Sequence, residues 1–153
     1  MRARQGAASR RRGRFWLTHT SDWKREPVAY WAHVPVDADA NFYDPDVAVM
    51  PPAPQPHGRL GWPVVCVPVG AHVLRFGSRA QLAEVIAVLS QKPLPSTRRL
   101  SALHHAACGD AAWRYGPNGH WLSRLPVELK RTQARARLVQ RLQAVLDSAD
   151  LPF

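Results

Sequence analysis

Apolar positions along this chain follow two rhythms: short continuous runs in the first half and a three-to-four spacing in the second. The run Phe15–Trp16–Leu17 opens the first half, and Phe15 to His19 predicts a strand. Val28 to Val34, rich in β-branched and aromatic residues, predicts a second strand that Pro35 ends, with Asp22 to Pro27 turning between the two. Pro63 to Val69 predicts a buried or edge strand, Gly70–Ala71 a turn and His72 to Phe76 the returning strand of a hairpin. Pro68 counts against this hairpin, because proline lacks the amide a ladder needs.

The helical rhythm begins at Ser78. Ser78 and Gln81 have capping-box spacing, and Leu82, Val85, Ile86 and Leu89 then fall at i, i+3, i+4 and i+7 on one face until Lys92–Pro93. Ser96 or Thr97 caps a second helix reaching about Cys108, with Leu100, Leu103 and Ala107 on its apolar side and Gly109 at its end. A loop around Trp113 and Tyr115 leads to a short helical segment at Trp121 to Leu125. Pro126 at a first helical position then opens one long helix from Val127 to about Asp147, striped by Val127, Ala134, Leu138, Leu142, Val145 and Ala149. At about 100° per residue, Arg135 and Arg141 border this stripe and Arg131 lies on it, so their stems are placed to pack against the core.

Between the two rhythms, residues 35–62 are rich in proline, aspartate and alanine and read as a long loop, extended at 51–56. Residues 1–14 hold nothing that forms a core and read as a disordered arm. The expectation is a single α+β domain over 15–149, with short antiparallel hairpins, about three helices and an open strand order.

Charge changes this picture. Residues 1–14 carry six arginines and no acid, residues 15–60 three bases against six acids, and residues 61–153 twelve bases against five, which sum to the net +10. A basic arm and a basic C-terminal half around an acidic middle point to a polyanion. The ratio of 18 Arg to 3 Lys suits phosphate contacts, but codon usage in a GC-rich genome is the better account of the ratio, which leaves the charge itself as the informative quantity.

Three sets of residues are candidate nucleic-acid contacts. The arm offers Arg10, Arg11, Arg12 and Arg14, which neutralise phosphates without presenting a specific shape. Thr97, Arg98 and Arg99 sit at a predicted helix start, where free amides and guanidinium groups favour anions. Five residues from Gln91 to Pro95 make too long a turn for a helix-turn-helix, so ordinary capped helices are expected there. The segment Gly116 to Pro126 offers Trp121 to stack on a base and Arg124 to meet a phosphate, while burial of Trp121 and Leu125 as core anchors is the simpler reading. Lys130 and Arg131 extend the set.

Other chemistry is thinly represented. His104 and Cys108 share a helix face, but only Cys66, Asp110 or His120 could complete a zinc site, so no metal and no cofactor are expected. His104–His105 with Asn118 brush the HNH nuclease pattern without its later metal-binding histidine. Asp37-x-Asp39-x-Asn41 starts like a calcium loop and fails at Phe42 and Ala48. A P-loop, GxGxxG, GxSxG and HExxH are absent. Two cysteines make no disulfide framework, and with no apolar leader or spanning run a cytoplasmic protein is expected, with no membrane partner.

His72 to Phe76 with Ala80 to Leu82 and Leu94 to Leu100, then Gly116 to Pro126, Tyr30 to His33 and Phe42 to Pro45, resemble uncharacterised small basic proteins of proteobacterial integrative and conjugative elements. The resemblance implies a mobile-element accessory role, with no activity and no catalytic residue to carry over. The functional expectation is a non-enzymatic protein that binds DNA or RNA through phosphates. The alternative is a protein-interaction module or inhibitor of a host or element complex, supported by the Pro-rich segment and six tryptophans. A metal-dependent nuclease ranks third.

Overall fold

The computed structural model describes residues 15–108 and 119–153. In chain order these form β1 (Trp16–Thr20), a 3-10 turn (Trp23–Arg25), α1 (Ala29–Ala32), β2 (Val34–Pro35), β3 (Val49–Met50), a 3-10 turn (Gly58–Leu60), β4 (Trp62–Val69), β5 (His72–Phe76), α2 (Arg79–Leu89), α3 (Thr97–Cys108), a 3-10 turn (Trp121–Arg124), α4 (Val127–Lys130) and α5 (Thr132–Leu146). This is a small α+β fold: a three-stranded antiparallel sheet ordered β1-β4-β5, a two-stranded β2-β3 ladder, and helices. Among the described residues no helix is long and apolar enough to cross a membrane.

The continuous apolar run Val64–Val67 makes β4 the centre of the sheet, buried on both faces. Its two prolines fit because of where the neighbouring strands stop. β1 pairs only as far as Cys66 and β5 only as far as Val65. Strand alternation aims the missing amide of Pro68 at the β1 side and that of Pro63 at the β5 side, each beyond the last paired residue, so neither costs a ladder bond. Gly70 takes φ 58°, as the first position of a two-residue hairpin turn requires. Gly61 (φ 87°) lies against the backbone carbonyl of Thr20, where a Cβ would collide.

α2 forms as its pattern dictates. Ser78 Oγ accepts the Gln81 amide at 3.2 Å, while Gln81 Oε1 accepts the Gly77 amide at 2.8 Å, one residue earlier than in an ordinary capping box. Leu82, Val85 and Leu89 enter the core against Leu138, Leu142 and Val145 of α5, each such side chain contributing about 1.5–3 kcal/mol by burial. The two helices run antiparallel, and Arg79 at the start of α2 donates to the carbonyls of Leu146 and Phe153.

Three expectations fail. Residues 28–33 are not a strand, and of the predicted run only Val34 enters one, the short β2 that Pro35 continues instead of ending. Val28, Ala29, Tyr30 and Trp31 are all buried, and four consecutive buried side chains suit the turn of α1 packed on several neighbours better than a half-exposed strand. In α3 the buried positions are Leu100, Ser101 and Cys108, whereas Leu103 is 58% exposed and Ala107 is exposed. The face toward the protein is rotated to meet the aromatic rings of α1, and Ser96 supplies the cap by accepting the Arg99 amide.

The long C-terminal helix is broken. Arg131 is extended (φ −66°, ψ 145°), and Pro126 is the N-cap of α4 instead of its first helical residue. In one continuous helix Leu129 and Leu138 would lie about 180° apart. The break lets both enter the core, leaves Val127 66% exposed and puts Arg131 at the surface; Ala149, past the end of α5, is also exposed. The 35–62 loop likewise does more than cover the domain, since Phe42 and Val49 from it are core residues.

Candidate nucleic-acid interface

The candidate residues separate in space. Arg10, Arg11, Arg12 and Arg14, and residues 116–118 of the contact loop, lie outside the described residues. Arg98 and Arg99 are exposed on the first turn of α3 with Thr97 half-buried beside them. Lys130 is half-buried and Arg131 exposed at the junction of α4 and α5. Trp121 is 6% exposed in the core, as the anchoring reading requires, and Arg124 of the same 3-10 turn is exposed.

Arg124 finds company that the linear sequence did not suggest. A cavity of about 210 Å³ is lined by Lys24, Arg25 and Arg124 together with Tyr30, Trp31, Tyr43 and Trp121. Two of the three bases from the acidic middle segment therefore meet one from the basic half, across 99 positions of sequence between Arg25 and Arg124. Asp22 shapes this corner by accepting the Lys24 amide at 3.1 Å, which caps the first 3-10 turn. Lys24 Nζ donates to the Asp44 carbonyl at 2.5 Å and stands 5.7 Å from the Phe42 ring centroid. Arg25 makes an open 3.4 Å pair with Asp22, its side chain 84% exposed, and Arg124 has no ion pair among the described residues. Glu26 also borders the cavity, but its carboxylate is committed to Arg75 through a bidentate pair at 2.9 and 2.8 Å. None of Thr97, Arg98, Arg99, Lys130 and Arg131 lines this cavity.

Behind the aromatic wall lies a histidine pair. The Trp31 ring is flanked by His104 and His120, with centroids 4.8 and 4.7 Å away, and Tyr30 meets His104 at 4.8 Å. Burial pushes both imidazoles down to about 4, and for His120 the nearness of His104 adds to it. The Nδ1 atom of His120 accepts the Leu122 amide at 3.1 Å, which fits the neutral Nε2–H tautomer. His104 Nε2 and Cys108 Sγ are 3.4 Å apart, and burial pushes the thiols of Cys108 and Cys66 upward. Among the described residues no group of three or more His, Cys, Asp or Glu side chains is placed to hold a metal; Asp110 and Asn118 lie outside them.

A third histidine, His33, was missed altogether by reading 28–34 as a strand. His33 is fully buried at the end of α1, with Nδ1 2.8 Å from the Pro51 carbonyl and Nε2 2.8 Å from Ser78 Oγ. The Pro51 carbonyl accepts from Nδ1–H, so the Ser78 hydroxyl donates to Nε2 and keeps its lone pairs for the Gln81 amide. With Ser78 at 5% exposure this pair is sealed, and it ties α1, the loop after β3 and the start of α2 into one polar knot.

Comparison with protein-family models, curated proteins and solved structures found no match, so the chemistry of this surface rests on its own geometry.

Proposed function

We propose that this protein is a non-enzymatic nucleic-acid-binding protein, serving a mobile genetic element as an accessory factor, and that it holds a single-stranded segment through phosphate contacts. The observation that carries this reading is the cavity where Lys24, Arg25 and Arg124 stand among Tyr30, Trp31, Tyr43 and Trp121. Cations beside aromatic rings suit a backbone phosphate next to an unpaired base, since every base has a face to stack and every link a charge. A cavity of about 210 Å³ suits one unstacked base better than the broad surface of a duplex. Arginines of residues 1–14, and Arg98, Arg99, Lys130 and Arg131, add sequence-tolerant attraction.

Fluorescence anisotropy with a labelled twelve-nucleotide single strand and the matching duplex, at two salt concentrations, tests this. The expected outcome is tighter binding of the single strand, weakening steeply with salt, and a salt slope lowered by about one for each of Lys24→Ala and Arg124→Ala. Binding that ignores salt, or that neither substitution changes, would sink the reading. The protein-interaction reading draws on a different surface, described next.

A further inference from the structure

We propose that the outer edge of β5, unpaired among the described residues, and the apolar groove beside it receive an extended segment of a partner protein, one that alternates apolar with acidic residues. This goes beyond nucleic-acid binding and rests on the strand edge and its apolar groove, although Trp121 and Arg124 line both cavities. β5 ends the sheet order, and His72–Phe76 make no backbone bond to any described residue besides their ladder to β4. The two-residue turn closes on Val69 and His72, which form a hydrogen-bonded pair. Alternation then turns the amide and carbonyl groups of Val73 and Arg75 away from β4, onto the open edge.

No proline, bulge or lysine interrupts His72–Phe76, and the charge of Arg75, the one charged side chain on the strand, is met by Glu26. The edge opens on a groove of about 320 Å³ lined by all five residues of β5. Lining by consecutive residues, which point to opposite faces, places the groove along the strand's edge and not over one face. Its other walls are apolar, chiefly Val85, Leu125 and the ring of Trp121, and Val73 is 48% exposed beside it. The indole N–H of Trp121 has no acceptor among the described residues, although it is buried.

Charge selects the occupant. Arg124 and His72 line the groove without a carboxylate among its lining residues; the charge of Arg75 is already met by Glu26, whereas Arg124 has no ion pair among the described residues. An added strand would present apolar side chains to the groove and carboxylates to Arg124 and His72, with its main chain bonded to Val73 and Arg75. A nucleic acid would leave these apolar walls unmatched.

A display library of random twelve-residue peptides, selected on the full chain at physiological salt, tests the proposal. Enriched peptides should alternate apolar and acidic residues, slow amide exchange of Val73 and Arg75 at least tenfold, and shift the Trp121 indole resonance. Val73→Pro removes an outward amide at a position where an edge strand tolerates proline, and should weaken binding at least tenfold, while Val73→Thr keeps it within threefold. The exchange measurement on the unaltered chain stands even if Val73→Pro fails to fold. No enrichment, binding indifferent to Val73→Pro in a folded protein, bound peptides that leave both amides exchanging freely, or the same amides protected by an oligonucleotide instead would each overturn it.

Discussion

Two cavities meet at one short turn, and they offer different chemistry. Trp121 and Arg124 line both the cationic cavity and the groove along β5. On one side their neighbours are Lys24, Arg25 and Tyr43; on the other they are Val73, Val85 and Leu125. A residue's role is thus set by what the fold places across from it. An arginine among bases and rings suits a phosphate. The same arginine above an apolar strand edge suits a carboxylate at the end of a buried contact.

The largest expected effect comes from removing the shared wall. Trp121→Ala deletes a buried ring and should destabilise the fold by about 3–5 kcal/mol, measured by urea denaturation, with both binding activities lost together. If one activity survives intact in folded protein, the two cavities do not share that wall.

Acid should separate the two sides next. His104 and His120 are neutral in the fold with pKa values near 4, against about 6.5 when unfolded. Their burial also pushes the unfolded chain ahead as proton acceptor below pH 6.5, so the stability they confer as neutral groups is present above pH 6.5 and lost as the pH falls towards 4. His33, also lowered by burial, acts in the same direction, whereas Glu84, raised by burial, opposes it. The melting temperature should fall by on the order of 10 °C between pH 7 and pH 4.5. Because the histidines flank Trp31 of the cationic cavity, exchange protection should fail around α1 before it fails in β4 and β5. A melting temperature flat over this range would mean that the histidines are not held neutral.

Smaller effects sharpen the contrast further. Arg124→Ala should weaken oligonucleotide binding about fivefold with stability unchanged, since the side chain is exposed and has no ion pair among the described residues. Lys24→Ala should do the same for the oligonucleotide and leave a groove-bound peptide untouched, because Lys24 lines only the cationic side. Trp121→Phe is the subtlest. It removes a buried N–H without an acceptor among the described residues, so stability should change by less than about 1 kcal/mol, in either direction, on denaturant titration. A loss well above that would reveal a partner for the indole.

Local signals were legible where chain neighbours supply the whole structure. The β4–β5 hairpin followed from two apolar runs about Gly70, and α2 from the Ser78 cap and its apolar spacing. They failed where distant residues decide. Tyr30 and Trp31 have strand-like composition, yet they coil into α1 because His104, His120 and Phe42 surround them. The stripe through Val127, Arg131 and Leu138 is regular, yet burying Leu129 as well requires the chain to break at Arg131. At the candidate site Arg124 was legible as a cation in a turn. Lys24, Arg25, Tyr30 and Tyr43 were not, because each looks ordinary beside its own neighbours.

The sequence by itself determined the α+β composition of the fold, the positions of its best-patterned strand pair and helix, and the surplus of positive charge. These depend on spacing, capping and net charge, all of which are carried within a few residues or simply summed. Only the tertiary structure decided which bases meet which rings, which edge of the sheet stays open among the described residues and which histidines are sealed neutral. Those outcomes depend on contacts across the chain, where closing one loop brings Arg25 to Arg124 and the outward backbone groups of Val73 and Arg75 meet no strand among the described residues.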